Sequence, residues 1–423
     1  MIVKSFLLKQ SSLEQIVANC SKDTIAIVRP EKSIEGLFRE AVRKTIEEKK
    51  SAREEFQQME SYFQGLTLSA PESPAKEAYK KTVESTLEAV AGYLREGMWV
   101  QAAQHAIEDY VMAKCARLCA EAVNVLSGGK LIDGTELMLC HEGQHFDWAA
   151  SQQQILQRCS GEQGLLVIPG GYGRLGSGYV VRVGKDGAHL MASLIGATLK
   201  ATSIEFYIEG KGIEGMEAIT YDEAAHYCSS AHAPFSSSAL WPAKNAGIPI
   251  LVKDIQDQEF KGTLISAHSS HKTAVLCEGD LDLITVYGTG LLGRVGMSGG
   301  IFSALAAAKI NVRFIAQTSS EYSISFAVRS VHKDAALEAI GSLFKDNPLL
   351  PLDDVVVLNR SVGIVTVFGS RMRNEPGVSG TVFGKLGAQG INIIASAQGG
   401  EELSISLVVD SKDLDRTAGI LKA

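Results

Sequence analysis

The segment Leu283–Arg329 recurs 81 residues further along the chain, and no other feature restricts the fold as strongly. Gly288, Phe302, Asn311, Gln317, Ser323 and Ser325 return as Gly369, Phe383, Asn392, Gln398, Ser404 and Ser406. A fixed offset held over so many positions means one supersecondary unit present twice. Each copy reads strand, glycine-rich turn, helix, strand, turn, strand. The run Ile284–Gly288 is β-branched and aromatic, a helix over Gly300–Ala308 sets Ile301, Leu305 and Ala308 on one stripe, and alternation returns in Ser323–Arg329. A second helix, Lys333–Phe344, closes the first copy, and Lys412–Lys422 takes its place in the second.

The turns carry candidate ligand chemistry. A glycine-rich turn running into a helix presents free backbone N–H groups to a carboxylate. Asn311 and Gln317, near the start and end of the next strand, can read an amino or amide group. The competing reading is that the glycines only make turns and Asn311 caps a strand; keeping Asn and Gln in both copies favours the ligand reading. Gly-Met-Ser-Gly-Gly-Ile-Phe and Ile-Asn-Val-Arg-Phe-Ile-Ala-Gln in the first copy resemble the loop-and-strand signature of the ACT domain, a βαββαβ module that binds small amino acids. Pro-Gly-Val-Ser-Gly-Thr-Val-Phe and Ile-Asn-Ile-Ile-Ala-Ser-Ala-Gln resemble it in the second. The resemblance implies ligand contacts from Gly293, Val295, Gly296, Met297, Asn311, Val312 and Gln317, and from Met372, Gly377, Val378, Asn392 and Gln398. It also implies a small amino-acid effector and edge-to-edge pairing into at least a homodimer.

At 423 residues the chain has room for two or three domains, each with its own core. A net charge of −7 without a basic stripe makes nucleic acid or an anionic membrane a poor partner. No apolar run reaches the roughly 18 residues needed to span a bilayer, and the N-terminal stretch lacks a long apolar region and a cleavage site. Seven cysteines without CxxC spacing, with Cys115 and Cys119 one helical turn apart, point to reduced thiols in a cytoplasm.

Read in order, residues 1–29 give strand, helix, strand. A helical region from about Ser33 to Leu126 has a break in Ser69–Glu77, and Lys130–Cys140 offers another strand. Gly164–Pro169 reads as a buried strand feeding the glycine cluster GGYGRLGSG, treated as a loop. Val180–Val183, Ile204–Ile208 and Ile248–Lys253 read as strands, with helices over His189–Leu199, Tyr221–Ser229 and Leu240–Ala246. Strands alternating with helices mean an α/β sandwich with a mainly parallel sheet. The first domain is expected over residues 1–266, with repeat modules over 280–358 and over 362–423. The second repeat ends on a helix where the first has a further strand, Val355–Leu358, so its open sheet would lack an edge partner. The strand Thr273–Cys277 is expected to complete it, which makes the first module an insertion in the second.

With an ACT pair behind it, this first domain resembles the aspartokinases, which phosphorylate the side-chain carboxylate of aspartate with ATP. Tyr221–Ile265 looks like the end of their catalytic domain, and Val167–Ala201 like their substrate loop and following helix. The resemblance implies an amino-acid-kinase fold, and it implies phosphate contacts that this chain has altered. Where the family opens with Lys-Phe-Gly-Gly-Thr-Ser, this chain has Ser5-Phe6-Leu7-Leu8-Lys9-Gln10, leaving Lys4 or Lys9 as the candidate lysine. The Ser-Ala-x-Gly loop becomes Arg29-Pro30-Glu31-Lys32, and Glu31 repels phosphate. Thr-Asp-Val-Asp-Gly becomes Ile208-Glu209-Gly210-Lys211-Gly212, and a nucleotide-contacting lysine becomes Ala233. Gly-Arg-Gly-Gly-Ser-Asp becomes Gly184-Lys185-Asp186-Gly187-Ala188-His189, where Lys185 keeps the charge without the guanidinium fork and His189 replaces an acid. Glu108 matches a substrate-contacting glutamate of the family, against the simpler reading of a solvated helix residue. Candidate catalytic residues are therefore Lys4, Lys9, Glu108 and Lys185; candidate nucleotide contacts are Gly170, Gly173, Lys211 and Gly212.

His141-Glu142-Gly143-Gln144-His145 matches HExxH, yet Gly143 weakens the helix that motif needs and no third ligand follows, so no metal site is assigned. GGYGRLGSG lacks both the Lys-Ser/Thr ending of a P-loop and dinucleotide spacing. The Glu/Lys-rich stretch Glu40–Glu55 reads as a solvated face or partner surface. The expectation is an aspartokinase homologue with impaired chemistry, acting as a regulatory subunit that binds an amino acid of lysine or threonine type, alone or with a catalytic aspartokinase chain. The alternative is an active kinase of aspartate or a related carboxylate, with ATP and Mg as its nucleotide and metal.

Overall fold

The computed structural model describes the chain apart from residues 69, 98–103, 142–145, 185, 210–212, 214–215, 229–232, 258–259, 269–272, 289–290, 292–294, 321, 346–355, 370–371, 374 and 423. The chain falls into two compact units, residues 1–270 apart from 230–232, and residues 271–423.

The first unit runs β1 (Ile2–Leu8), α1 (Leu13–Ala18), β2 (Thr24–Pro30), α2 (Lys32–Val42), α3 (Arg53–Leu66), α4 (Pro74–Gly97), α5 (Gln104–Ser127), β3 (Lys130–Leu131), β4 (Leu139–Cys140) and α6 (Trp148–Cys159). It continues with β5 (Leu166–Pro169), β6 (Tyr172–Leu175), β7 (Val180–Arg182), α7 (Gly187–Leu199), β8 (Ser203–Ile208), β9 (Ala218–Thr220), α8 (Tyr221–Cys228), α9 (Trp241–Ala246), β10 (Ile250–Asp254) and β11 (Thr263–Ser266). Eight strands form one sheet in the order β3-β5-β2-β1-β8-β10-β11-β9, parallel except between β10 and β11. Its central strands are apolar on both faces, as a sheet covered twice requires. Val3, Ile25, Ile27, Ile204 and Phe206 join the core under α6–α9, while Phe6, Leu8, Ala26, Val28 and Tyr207 join the core under α1–α5. The result is an amino-acid-kinase-like αβα sandwich.

The helical region divides as its sequence suggests, with a refinement. Tyr79, Val83, Leu87, Val90 and Leu94 give α4 a buried stripe at helical spacing. The break before α4 ends at Pro74, where a missing N–H costs nothing. A further interruption was not foreseen: α2 runs into a π-helical turn, Arg43–Glu47, and Lys49 takes a left-handed conformation at φ 53°. Nor is Lys130–Cys140 one strand. It makes two short ones around a 3₁₀ turn, because Asp133 accepts a hydrogen bond from the Thr135 N–H (2.9 Å) and turns the chain. The glycine cluster expected as a loop is also partly extended: β6 and β7 pair antiparallel and, with β4, form a small second sheet.

The second unit runs β12 (Ala274–Tyr287), α10 (Met297–Ala307), β13 (Phe314–Gln317), β14 (Ser323–Arg329), α11 (Lys333–Lys345), β15 (Val356–Phe368), α12 (Val378–Ala388), β16 (Ile393–Gln398), β17 (Ser404–Asp410) and α13 (Leu414–Lys422). All six strands form one antiparallel sheet, β13-β14-β12-β15-β17-β16. Thr273–Cys277 and Ile284–Gly288, read as separate strands, are two ends of β12; Val355–Leu358 likewise runs on into the strand of the second repeat. Leu281–Tyr287 pairs with β14 while Ala274–Glu278 pairs with Ile364–Phe368, so each central strand serves both copies. The turnover point is a bulge between Glu278 and Leu281, where Asp280 adopts φ 53°. Helix α10 starts earlier than read, at Met297, and Ala308 is its exposed C-cap rather than part of the buried stripe.

The helices cover one face of this sheet in two clusters, Ile301, Leu305, Ile340 and Phe344 in the first copy, Val382, Leu386 and Ile405 in the second. The sheet rolls until its edge strands β13 and β16 meet, enclosing Leu281, Leu283, Phe314, Val362, Ile364 and Val408 on the other face. Gly363 lets α13 close down, since a side chain there would lie 2.6 Å from Leu414 Cδ1. Gly363→Val should destabilise the second unit by about 1–3 kcal/mol, with most of the loss restored by adding Leu414→Ala. Thermal unfolding checks this, and a single variant melting like the parent would refute the packing role of Gly363.

Candidate functional site

Polar groups inside a sheet covered on both faces need a partner there, as Lys4 has in Glu205, and the other charges collect where the parallel strands end. Ligands of such sheets bind in the crevice beyond the carboxyl ends of the strands. There Lys9 follows β1, Arg29 to Glu31 close β2, Gly170 and Gly171 follow β5, and Glu209 follows β8. Asp186 opens α7 in a left-handed conformation, φ 59°, and caps no N–H with its side chain.

The charges there are engaged with one another. The Lys9 ammonium is paired with Glu209, and that hydrogen bond, with the nearby charges of Glu209 and Glu31, holds the lysine above its ordinary range. Glu31 accepts a hydrogen bond from Tyr62 (2.8 Å). Arg39 binds Glu108 at 3.1 Å and Glu35 at 3.5 Å. Burial lifts the carboxyl groups of Glu35 and Asp109, and Asp109 accepts from the Arg182 N–H at 2.9 Å. Arg29 is held down by burial, against the fields of Asp186, Glu35 and Glu209. Among the described residues the network joins Lys9, Arg29, Lys32, Arg39 and Arg182, with His105 nearby, to Glu31, Glu35, Glu108, Asp109, Asp186 and Glu209. Leu8, where a glycine-rich loop would begin, is wholly buried, and Leu7 nearly so. Such an environment does not fit a Mg-bound triphosphate, whose charge needs preorganised donors. Among the described residues no group of three or more His, Cys, Asp or Glu is placed to hold a metal ion.

The sequence candidates are scattered by this geometry. Lys9 and Glu108 belong to the network; Lys4 does not. Lys4 lies inside β1 on the α1 face, donating to the Asn19 carbonyl (2.9 Å) and pairing with Glu205 (3.2 Å), which Lys253 also approaches (3.4 Å). Gly170 and Gly173 have packing reasons to be glycine. A side chain at Gly170 would sit 2.6 Å from Ile27 and 2.7 Å from Ala188, and one at Gly173 would strike the Met138 carbonyl. Lys185, Lys211 and Gly212 lie outside the described residues, as do Gly293 and most of the HExxH match, Glu142 to His145. Sequence reasoning missed Glu35, Arg39, Tyr62 and Arg182, which reach the crevice from α2, α3 and β7; only a charge ending the apolar run of β2, Arg29, announced the place.

The described parts of the two helix starts of the second unit match each other. Gly296 and Gly377 both take φ 90° as N-caps of α10 and α12, a conformation a side chain resists, and neither helix start has a side-chain cap. Ser298 donates to Gln317 at 3.3 Å and Ser379 to Gln398 at 3.3 Å, a pair that the sequence reading half saw, taking the glutamines but not the serines. Thr285 with Ser325 and Thr366 with Ser406 repeat in the same way, each at 2.9 Å. Asn311 and Asn392 are exposed and precede their strands. Met297, Val312, Met372 and Val378 pack on the helix-side cores, whereas Val295 is fully exposed. A cavity of about 440 Å³ opens at the start of α12, lined by Met372, Glu375, Gly377, Val378, Thr381 and Lys385 among others.

Replacing Glu209 by Gln should lower the pKa of Lys9 toward its ordinary value, because the partner that raises it is removed. A proton titration followed by NMR of labelled lysine side chains reads this, and an unmoved Lys9 would rule the pairing out.

The ACT domain family matches residues 284–344 and 365–423. A bifunctional aspartokinase/homoserine dehydrogenase of Daucus carota is 28% identical over 254 residues, 55% of this chain and 28% of that protein. Aspartokinase 2 of Bacillus subtilis is 27% identical over 272 residues, 60% of this chain and 64% of its own length. The match thus spans less than two thirds of these relatives. The fold of E. coli aspartokinase III, solved with lysine and aspartate, covers 100% of this chain and 99% of its own at a TM-score of 0.80 and 16% identity, a likeness of fold. With an αβα sandwich in front and the repeated ACT unit behind, the chain is similar to the aspartokinases in sequence and in fold.

Proposed function

We propose that this chain is an aspartokinase homologue with impaired phosphoryl transfer that acts as an amino-acid-binding regulatory subunit of the aspartate-family pathway. The carrying observation is the Lys9–Glu209 pair: the cation best placed to meet a transferring phosphoryl group is already neutralised. Leu7 and Leu8 stand where the family has glycines, and the surrounding carboxylates oppose a polyanion. Losing one preorganised donor costs about 10²–10³ in rate, and more than one is altered here. Against this, both ACT loops keep the left-handed glycine and the Ser–Gln pair. Lysine in the E. coli aspartokinase III complex supports an effector of lysine or threonine type. In this reading the chain is cytoplasmic, pairs with a second copy through its ACT edges, and associates with a catalytic aspartokinase chain. A second reading, an active ATP-dependent kinase of aspartate or another small carboxylate, is favoured by the names of the curated relatives.

Phosphoryl transfer from Mg·ATP to aspartate, followed by hydroxamate formation, should run slower than for a catalytic aspartokinase by a factor on the order of 10³ or more. Robust turnover abolished by Lys9→Ala or Lys185→Ala would establish the second reading instead. Thermal unfolding with each of the twenty amino acids should show lysine or threonine stabilising the chain, by about 2.7 kcal/mol at a hundredfold excess over Kd. Ser298→Ala with Gln317→Ala, or Ser379→Ala with Gln398→Ala, should reduce that shift. A flat response to all twenty would remove the effector role.

A further inference from the structure

The two ACT copies differ on the flank of their first helix that faces their second. Helix α12 turns Val378, Thr381, Val382 and Lys385 to that flank, a single stripe at helical spacing. Ser379, which donates to Gln398, lies about 100° round the helix from Val378. In the first copy the flank carries Met297, Gly300, Ile301 and Ala304, and α11 lays Leu343 against it: a side chain at Gly300 would lie 3.7 Å from Leu343. Phe344 is buried in the same cluster. In the second copy Thr381 stands for Gly300 and Lys385 for Ala304, and the flank borders the cavity of about 440 Å³. That volume is within the roughly 300–1,000 Å³ of small-molecule sites.

The lining sorts by chemistry. Val367, Met372 and Val382 are buried and give an apolar floor, extended by Val378 and, from the last turn of α13, by Leu421. The rim carries Glu375, Lys385, Thr273 and Thr381. Neither Glu375 nor Lys385 has an ion pair or side-chain hydrogen bond among the described residues. The Thr381 hydroxyl donates to the Gly377 carbonyl at 3.0 Å, so its oxygen is left to accept. One carboxylate and one ammonium above an apolar floor complement a zwitterion with an apolar side chain. A simple cation would be opposed by Lys385 and a simple anion by Glu375. Leu343 in the first copy shows that a leucyl group packs on this flank.

We propose that the cavity between α12 and the end of α13 takes a free L-α-amino acid with a branched or aromatic apolar side chain. Its ammonium meets Glu375, its carboxylate meets Lys385, and its side chain lies on Val367, Met372, Val382 and Leu421. Met372, Gly377 and Val378, implied by the sequence as loop contacts, line this cavity, whereas Ser379, Asn392 and Gln398 do not. The site is therefore separate from the Ser–Gln pairs, and it does not rest on an effector of lysine or threonine type binding there.

The full chain is titrated calorimetrically with leucine, phenylalanine, alanine and lysine. Saturable one-to-one binding of leucine and phenylalanine is expected, with alanine weaker by about fourfold for each side-chain carbon lost relative to leucine. Thr381→Trp, at an exposed helix position, fills the cavity and should abolish binding; Lys385→Ala and Glu375→Gln should each weaken it by about two- to fivefold. Should Thr381→Trp not fold, Thr381→Arg makes the same comparison. Ser379→Ala with Gln398→Ala should leave leucine binding as it was. If that double variant loses the response to lysine or threonine while leucine still binds, the two sites are separate, as proposed. No saturable binding of leucine or phenylalanine overturns the proposal. So does binding untouched by the Thr381 and Lys385 variants, leucine binding lost in the Ser379 and Gln398 variant, or lysine binding more tightly than leucine through Glu375 and Lys385.

Discussion

A parallel sheet buried on both faces leaves its strands only one place to meet water, their ends. In the first unit that constraint decides nearly everything of functional interest. Val3, Ile27 and Phe206 on one side and Phe6, Val28 and Tyr207 on the other must be covered by helices, because an exposed apolar face would dissolve the sandwich. Every charge that follows a strand is therefore delivered to the same rim. Whether the rim cradles a nucleotide then depends on a few residues: two leucines in place of glycines, a lysine met by a glutamate, and an aspartate at the start of α7. The scaffold can stay the same whatever the rim carries, since the sandwich is held by its core and the rim contributes little to that.

How much of this the sequence disclosed follows from the range of each interaction. The repeat at 81 residues exposed the second unit, because hydrophobic period and turn glycines are local and were written twice. The two long strands escaped it. A bulge at Asp280 interrupts the alternation of β12, and the eye reads two strands where backbone pairing makes one. In the first unit the order of strands and helices was legible from apolar runs such as Leu166–Pro169, whereas 3₁₀ turns and two-residue strands, which depend on single side-chain bonds such as Asp133 to Thr135, were not.

The rim was legible only in part, for a similar reason. Lys9 and Glu108 could be picked by alignment with a motif, but Lys4 was equally plausible on paper. Only the pleat separates them: Lys4 shares a face with Phe6 and is held by Glu205, well inside the strand that Lys9 follows. Glu35 and Arg39 come from α2, the helix just after β2, and Tyr62 from α3, and nothing in their local sequence says they converge. Gly170 and Gly173 carry a second constraint that the sequence does not show. A glycine beside a strand suggests a phosphate loop, yet here it makes room for Ala188 or for the Met138 carbonyl.

The double duty of β12 and β15 has a mechanical corollary. Because each strand hydrogen-bonds within one copy along half its length and within the other along the rest, the ladders of the two copies share their two central strands. Fraying one half strips the other of a neighbour, and the two helix-capping glycines are fixed to opposite ends of the same pair of ribbons. The continuous backbone of the two strands therefore ties the two loops to one sheet, so that the copies share one framework rather than two.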